Sequence, residues 1–545
     1  MPMSIESGAA DGEEVVRKTE PESLEIERSR TGKPVPRRGG RYRHSRYDPE
    51  KEAERLVKRA EGRDPRLVVL LDVGWGYAVL AARRLFPKAK VIGFESDLEL
   101  AELARRRGAW KEDDRTVFLA RGEDRDEFEL LSRFIDEVGA ARPVFLSAGS
   151  ADSDAGDKWK HRMIELVEKI VAMQRESLST SARFGSLWWE NSVRNLEAWT
   201  RVPDVSTWFN KAQGEMVIIF AAGPSLDDSL ELFQGGDGGV RLVVDTAAKR
   251  VLESGIRVDA VLAADAQDWT LEHFSKLEVS RLLATPIVPP ALWDRGRERI
   301  LMTLAGPHFE WMASAAGMRR VPLKAGGSVT TFAFDLARRM SPRAILLVGN
   351  DFAFRAGRRY ASGTTYEGRF GMHSLVPNRF LTFENYLLRN AVREEDGQVT
   401  DEVLRQYARW MEWEIAATKI PVYRAVDFGL LKNSPVIPPD VLRQFLERPA
   451  WNPPRPLGGT SETVPISEKR LRRALGSERL RLARILTSPR KRLAELGPFF
   501  EPIVRPFAVA SHLDGLDDEA IRELTRRLVR AGDLLDEVLS EDARR

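Results

Sequence analysis

Two glycine-rich turns and a set of strand-terminal aspartates carry the groups in this sequence whose types and order suit chemistry. The first turn, Ala221-Ala222-Gly223-Pro224-Ser225-Leu226, follows directly on the apolar run Met216–Phe220. A strand ending this way delivers its turn to the carboxyl edge of a parallel sheet, where ligands bind. Gly223 permits close backbone approach at that edge. Ser225 is placed to cap the next helix, whose amide end favours a phosphate. The second turn, Lys324-Ala325-Gly326-Gly327-Ser328-Val329-Thr330-Thr331, sets two glycines before a Ser/Thr-rich helix start, the composition of an anion-binding turn. The strand predicted next, Ala344–Val348, ends in Gly349-Asn350-Asp351-Phe352 and projects Asp351 to the same edge.

Asp245, in Val244-Asp245-Thr246, and Asp265, in Ala264-Asp265-Ala266-Gln267-Asp268, each end a predicted strand and belong on that edge too. Carboxylates there accept from sugar hydroxyls or hold a divalent cation, and structural capping is the competing role. Asp265-x-x-Asp268 departs from the Asp-x-Asp of metal-dependent glycosyltransferases, so a divalent metal stays an open alternative without support from this spacing, and no resident cofactor is assigned. The arginines Arg355, Arg358 and Arg359 after Asp351 suit a departing phosphate, or a solvated loop. Of the histidines, His373 lies by the glycine-bearing loop after Asp351, where a histidine serves as a base or is merely a surface residue; His308, after Ala305-Gly306-Pro307, is a secondary site candidate. Near the N-terminus, Asp72-Val73-Gly74-Trp75-Gly76 follows the run Arg66–Leu71, and Glu95 ends the next strand. Asp72, Gly74, Gly76 and Glu95 thereby form a weaker nucleotide candidate, in a pattern that resembles the first motif of S-adenosylmethionine-dependent methyltransferases, against a plain tight turn.

These residues need alternating strands and helices to position them. The sequence supplies two such series, followed by helices. The predicted class is α/β: two Rossmann-like doubly wound domains and a C-terminal α-helical region. Residues 1–40 are polar and without periodicity and read as disordered. The first domain spans 41–185, opening with a helix capped by Asp48-Pro49 and closing on a helix over Lys158–Ser177. The second spans 186–430. Its predicted strands are Met216–Phe220, Arg241–Val244, Ala260–Ala263, Thr285–Val288, Ile300–Leu304, Val321–Leu323 and Ala344–Val348. A proline-rich linker, 431–464, is predicted extended, and 465–545 helical, with Ile521, Leu524, Leu528 and Leu535 at helical spacing.

Composition narrows the classes. The 545 residues need more than one core. With Lys+Arg at 85 and Asp+Glu at 82, a net charge of +3 gives no argument for nucleic acid or an anionic membrane. The absence of cysteine removes disulfides, thiolate catalysis and cysteine metal sites. The N-terminus lacks the basic and apolar pattern of a secretory signal, and no apolar run has membrane length, so the expected location is cytoplasmic.

Taken in order, Gly-Pro-Ser-Leu, Asp-Thr-Ala, Gly-Gly-Ser-Val and Gly-Asn-Asp-Phe-Ala resemble the central domain of motility-associated flagellin glycosyltransferases. That domain is related to an archaeal 6-hydroxymethylpterin diphosphokinase and resembles CMP-sialic-acid transferases. Trp189-x-Asn191…Asn195-Leu196 and Thr400…Tyr407…Trp410 are similar to the same family, and the resemblance covers about residues 41–430. It implies transfer of a nonulosonic acid, of pseudaminic or legionaminic type, from its CMP donor to a flagellin Ser or Thr. It implies that Gly223, Pro224, Ser225, Gly326, Gly327 and Ser328 surround the CMP. Asn195 and Asp245 would meet base or sugar, Asp265 and Asp351 would orient the donor sugar, and Arg358 would face the leaving phosphate. Relatives often carry a histidine where Tyr360 stands here, a departure that leaves His373 or a carboxylate as base. A pterin diphosphokinase, a methyltransferase-like first domain and a non-catalytic flagellin-binding factor are the alternatives. Oligomeric state has no signal in the sequence.

Overall fold

The computed structural model describes residues 23–540 except 64, 125, 137, 139–141, 149–153, 366–389, 455–465 and 511–515. They divide into two units, with the boundary between Ser179 and Thr180.

The first unit opens with three strands, β1 (Leu24–Arg28), β2 (Pro34–Arg38) and β3 (Arg41–Tyr42), paired antiparallel. Disorder was the expectation for residues up to about 40, and for 24–38 the structure corrects it. The hairpin escapes a hydrophobic reading because charge pairs hold it. Arg37 meets Glu27 at 2.9 Å, the Tyr42 hydroxyl donates to Glu27 at 2.8 Å, and Arg38 reaches Asp97 at 2.8 Å. Helix α1 (Pro49–Val57) starts as its sequence predicts, with the Asp48 side chain accepting from the Lys51 amide.

Next come β4 (Leu67–Leu71), α2 (Tyr77–Leu85), β5 (Lys90–Glu95), α3 (Leu98–Arg106), β6 (Thr116–Ala120), α4 (Glu127–Asp136) and β7 (Val144–Ser147). The strands form a parallel sheet in the order β6-β5-β4-β7. Chain order reverses beside β4, so the Asp72–Gly76 turn lies at a topological switch point. The closing helix, α5, covers Asp154–Arg194 and carries the unit boundary within it, far longer than the Lys158–Ser177 expected.

The second unit holds α6 (Leu196–Thr200), β8 (Met216–Phe220), α7 (Leu226–Ser229), β9 (Val240–Val244), α8 (Asp245–Glu253), β10 (Ala260–Ala263) and α9 (Thr270–His273). It continues with β11 (Val279–Ala284), β12 (Gly296–Leu301), α10 (Pro307–Ala316), α11 (Val329–Arg339) and β13 (Ala344–Val348). After a short antiparallel pair, β14 (Ala391–Arg393) and β15 (Val399–Asp401), come α12 (Glu402–Ala417) and β16 (Val422–Arg424). Seven strands make one parallel sheet in the order β12-β11-β10-β9-β8-β13-β16.

Both faces of this sheet are covered, which explains runs as apolar as Met216–Phe220. Met216, Ile218 and Phe220 enter one core with α8 and α10; Val217 and Ile219 enter the other with α11 and α12. Strands were expected at Thr285–Val288 and Ile300–Leu304 and sit a few residues earlier. Pro286 interrupts the first, and its carbonyl faces Asn195 at 2.8 Å. Val321–Leu323 is no strand. Its proline removes a donor, and the Leu323 amide donates to the Thr303 carbonyl at 3.0 Å.

The proline-rich stretch is packed rather than a free linker over its described part. The Ile437 amide donates to Arg424 at 2.9 Å, and α13 (Pro439–Leu446) buries Leu442, Phe445 and Leu446. The tail is helical as predicted: α14 (Ile466–Leu486), α15 (Glu501–Ala510) and α16 (Asp518–Ser540), with Leu524, Leu528 and Leu535 buried. Phe500 stacks on Trp189 of α5 and Phe499 meets it edge-on, welding the tail to the α10 side of the sheet.

Candidate functional site

The seven-stranded sheet reverses its chain order between β8 and β13, and the switch-point turns meet there. The Ser225 amide donates to Asp351 Oδ2 at 2.7 Å, and the Ser225 hydroxyl donates to Asp351 Oδ1. Ser225 therefore does not cap α7 with its side chain, as its sequence position suggested; Asp351 takes the hydroxyl instead. The Gly223 amide donates to the Gly349 carbonyl at 2.8 Å. A Cβ at Gly223 would stand 2.6 Å from Asp351 Oδ2, so only glycine lets the two turns close. Burial pushes the Asp351 carboxyl up to about 6, against the lowering effect of its two bonds from Ser225.

The second turn reaches the same rim. Helix α11 feeds β13 and packs beneath β8, β9 and β10, so it runs against the strands and starts at their carboxyl ends. Val329, its first residue, packs against both cores, as does Leu304 beyond β12, which marks a rim position. The turn is braced from inside: the Gly326 amide donates to Thr331 Oγ1 at 2.8 Å, and that hydroxyl donates to the Ser328 carbonyl at 2.6 Å. Gly327 has φ +96°, a conformation that favours glycine. Ser328 is extended and makes no side-chain cap. From α12, Trp410 lies against Gly326 and Tyr407 against Gly327.

Asp245 directly follows β9, the strand beside β8, and opens α8. Its Oδ1 accepts from the Thr246 amide at 2.7 Å and the Thr246 hydroxyl at 3.1 Å. Burial pushes its carboxyl up to about 7, and the charge of Asp265 at the end of β10 adds to the rise. Asp265 is half-buried and holds its own loop, accepting from the Gln267 amide at 3.1 Å and the Trp269 indole at 3.0 Å. Gly223, Ser225, Asp245, Asp265, Gly326–Ser328 and Asp351 thus line one edge of one sheet. Among the described residues no three carboxylate or imidazole groups cluster in the way a metal ion needs.

Residues 190–357 match the family model for 6-hydroxymethylpterin diphosphokinase MptE-like proteins. This chain carries an MptE-like domain. An uncharacterized protein of Treponema pallidum (strain Nichols) is 27% identical over 202 residues; the match takes in 35% of this chain and 66% of that protein. In fold, the chain is similar to the solved structure of the MAf glycosyltransferase from Magnetospirillum magneticum AMB-1. The TM-score is 0.53 at 12% identity, covering 96% of this chain and 91% of that one.

The MptE-like domain engages some of the predicted residues elsewhere than on the rim's open side. Asn195 is buried, and its amide donates to the Pro286 and Val288 carbonyls, each at 2.8 Å. Asn191 does the same for Ala266 and Ile287, at 2.9 and 2.7 Å. Asn195 holds the loop after β11, and Asn191 joins that loop to the one after β10, rather than presenting an amide outward. His308, also fully buried, has Nδ1 2.6 Å from the Phe499 carbonyl and Nε2 2.6 Å from the Ser192 hydroxyl. It ties α10 to the C-terminal region, and burial lowers its pKa to about 4.

Arg358 meets Asp227 Oδ2 at 3.1 Å, and Arg359 meets Asp401 at 2.9 Å. Asp227, which sequence reasoning passed over, also accepts from the Ser362 amide at 3.0 Å and Arg250 at 3.4 Å. Its only signal was an acidic pair directly after Ser225-Leu226. Tyr360 is half-buried against the core that takes in Val244 and Ala247, and burial raises its pKa. His373 lies outside the described residues.

In the first unit the Asp72–Gly76 turn is filled by the protein itself. The Gly74 amide donates to Glu95 at 2.8 Å, and the Trp75 amide donates to His44 Nε2 at 2.8 Å. A Cβ at Gly74 would stand 2.5 Å from that nitrogen, and the Trp110 ring lies 3.2 Å from the Cβ position of Gly76. Asp72 accepts from the Ser96 hydroxyl at 2.7 Å and from Lys160 at 2.8 Å. Burial pushes Glu95 up to about 7 and His44 down to about 4.

Proposed function

We propose that the chain is a glycosyltransferase that moves a nonulosonic acid sugar from its CMP donor to a serine or threonine of flagellin, acting in the cytoplasm. The observation that carries this reading is the closing of the Gly223–Ser225 turn on Asp351 at the switch point of a parallel sheet, with the Gly326–Ser328 turn opening α11 at the same carboxyl edge. Backbone amides and a helix start there offer an anion site. The fold likeness to the MAf glycosyltransferase runs over nearly the whole chain, including the first unit and the C-terminal helices that a small diphosphokinase has no use for. Both α/β units are read as Rossmann-like on this view, the second being the donor site.

In that site the Gly326–Ser328 turn and the start of α11 take the phosphate. Asp245, whose Oδ2 carries no hydrogen bond among the described residues, accepts from a ribose hydroxyl at the strand next to the first turn. Asp351 acts by fixing Ser225, since each of its oxygens already receives a Ser225 donor. The acceptor hydroxyl attacks the anomeric carbon with inversion, CMP departs, and the proton passes to His373 or a rim carboxylate. Arg358 serves the leaving phosphate once released from Asp227.

The family name attached to residues 190–357 supports a second reading, pyrophosphate transfer from ATP to a hydroxymethylpterin. Mass spectrometry of flagellar filaments separates the two. A strain lacking this protein is expected to lose the nonulosonic acid mass from its flagellin and regain it on complementation. Filaments of unchanged mass, with pterin diphosphate formed by the purified protein, would overturn the transferase reading.

A further inference from the structure

Helix α12 touches both halves of the rim. At its start, Asp401 caps the helix by accepting from the Leu404 amide at 2.8 Å and pairs with Arg359 at 2.9 Å. Thr400 donates to the Phe352 carbonyl at 2.7 Å, and the Phe354 amide donates to Val399 at 2.7 Å. The chain just after Asp351 is therefore pinned to β15 and to the first turn of α12. One and two turns further on, Tyr407 and Trp410 lie three residues apart, a spacing that puts them on one helix face. The Trp410 ring passes 2.4 Å from the Cβ position of Gly326, and the Tyr407 ring 2.7 Å from that of Gly327. Only a residue without a side chain fits beneath either ring.

We infer that α12 is the clamp that sets the second glycine turn against the Asp351 arm, with Trp410 and Tyr407 as positioning residues for donor binding. The inference rests on the proposed nucleotide site and deepens it. The rings touch the turn from α12, so they govern where its amides point. Gly326 has no left-handed requirement of its own. Its lack of a side chain answers to Trp410, which makes the pair open to a complementation test.

Wild-type protein is first titrated with CMP by calorimetry; no binding there defeats the nucleotide reading itself and is a separate result. With binding in hand, Trp410→Ala is expected to weaken CMP by about tenfold or more through misplaced amides, while Trp410→Phe keeps most of the affinity. Gly326→Ala alone is expected to weaken CMP comparably, and the double variant Gly326→Ala/Trp410→Ala to bind better than Gly326→Ala alone. Melting curves establish that each variant is folded, and Trp410→Leu replaces the alanine variant if that one is not. A folded Trp410 variant with wild-type affinity, or a double variant no better than Gly326→Ala, overturns the clamp.

Discussion

The Ser225 hydroxyl and the Asp351 carboxylate, separated by 126 positions in the chain, are joined where β8 and β13 end side by side. The bond closes the switch point between those two strand ends. Ser225→Ala removes one of the two donors to a buried carboxylate. The expected cost is about 1–3 kcal/mol of unfolding free energy, read from urea melts of the full chain. Loss of a bond that lowers the Asp351 pKa also makes the variant lose stability more steeply as pH rises through about 6.

Asp245 gives a second pH signature. Its carboxyl is raised in the folded state to about 7, from 3.8. The folded protein therefore holds this proton over a range where the unfolded chain has released it. The stabilisation is complete below 3.8 and is lost as pH climbs through about 7. Asp245→Asn removes the buried charge while its amide oxygen still accepts from Thr246. The melting temperature of the variant minus that of wild type is expected to grow from about pH 5 to about pH 8. A difference that stays flat or shrinks over that span contradicts the buried ionisation.

His44 makes the opposite prediction for the first unit. Its pKa falls from 6.5 to about 4 on burial, so its contribution is present above 6.5 and is lost as pH drops through that window. His44→Ala should lower the melting temperature near neutrality, because the Trp75 amide loses its acceptor, and should flatten the acid-side decline. S-adenosylmethionine is expected to leave the melting curve of wild-type protein unmoved, since Glu95 and His44 already hold the two amides of the turn.

How far the sequence reveals the molecule depends on which force holds each part. Met216–Phe220 and Ala344–Val348 are legible because burial on both sheet faces makes them continuously apolar. Helix α1 is legible because Asp48-Pro49 is a local signal. The hairpin of β1 and β2 is not, since its support comes from Arg37, Arg38 and Glu27 rather than from alternating apolar residues. At the rim, turn chemistry marked Gly223, Ser225, Gly326 and Asp351. What sequence could not convey is where side chains spend their hydrogen bonds. Asn195 looks like a ligand contact until its amide is seen between two backbone carbonyls, and His44 lies 31 positions from the turn it fills.

His308 tests the attachment of the C-terminal helices. It stands between Ser192 and the Phe499 carbonyl with no exposed surface. His308→Ala leaves that carbonyl unpaired beside a cavity, at an expected cost of about 2–4 kcal/mol. Limited proteolysis should then cut within residues 466–540 faster than in wild type. An unchanged digestion pattern would show that the Trp189, Phe499 and Phe500 packing holds the tail without it.

The central claim is that one nucleotide bridges the two turns of the carboxyl rim, and amide hydrogen exchange read by mass spectrometry on added CMP addresses it directly. Slowed exchange is predicted in both Ala221–Leu226 and Lys324–Thr331, absent with ATP, and absent from Asp72–Tyr77 with either nucleotide. Protection confined to the Asp72–Tyr77 turn, or equal protection of the rim by ATP, would contradict the account.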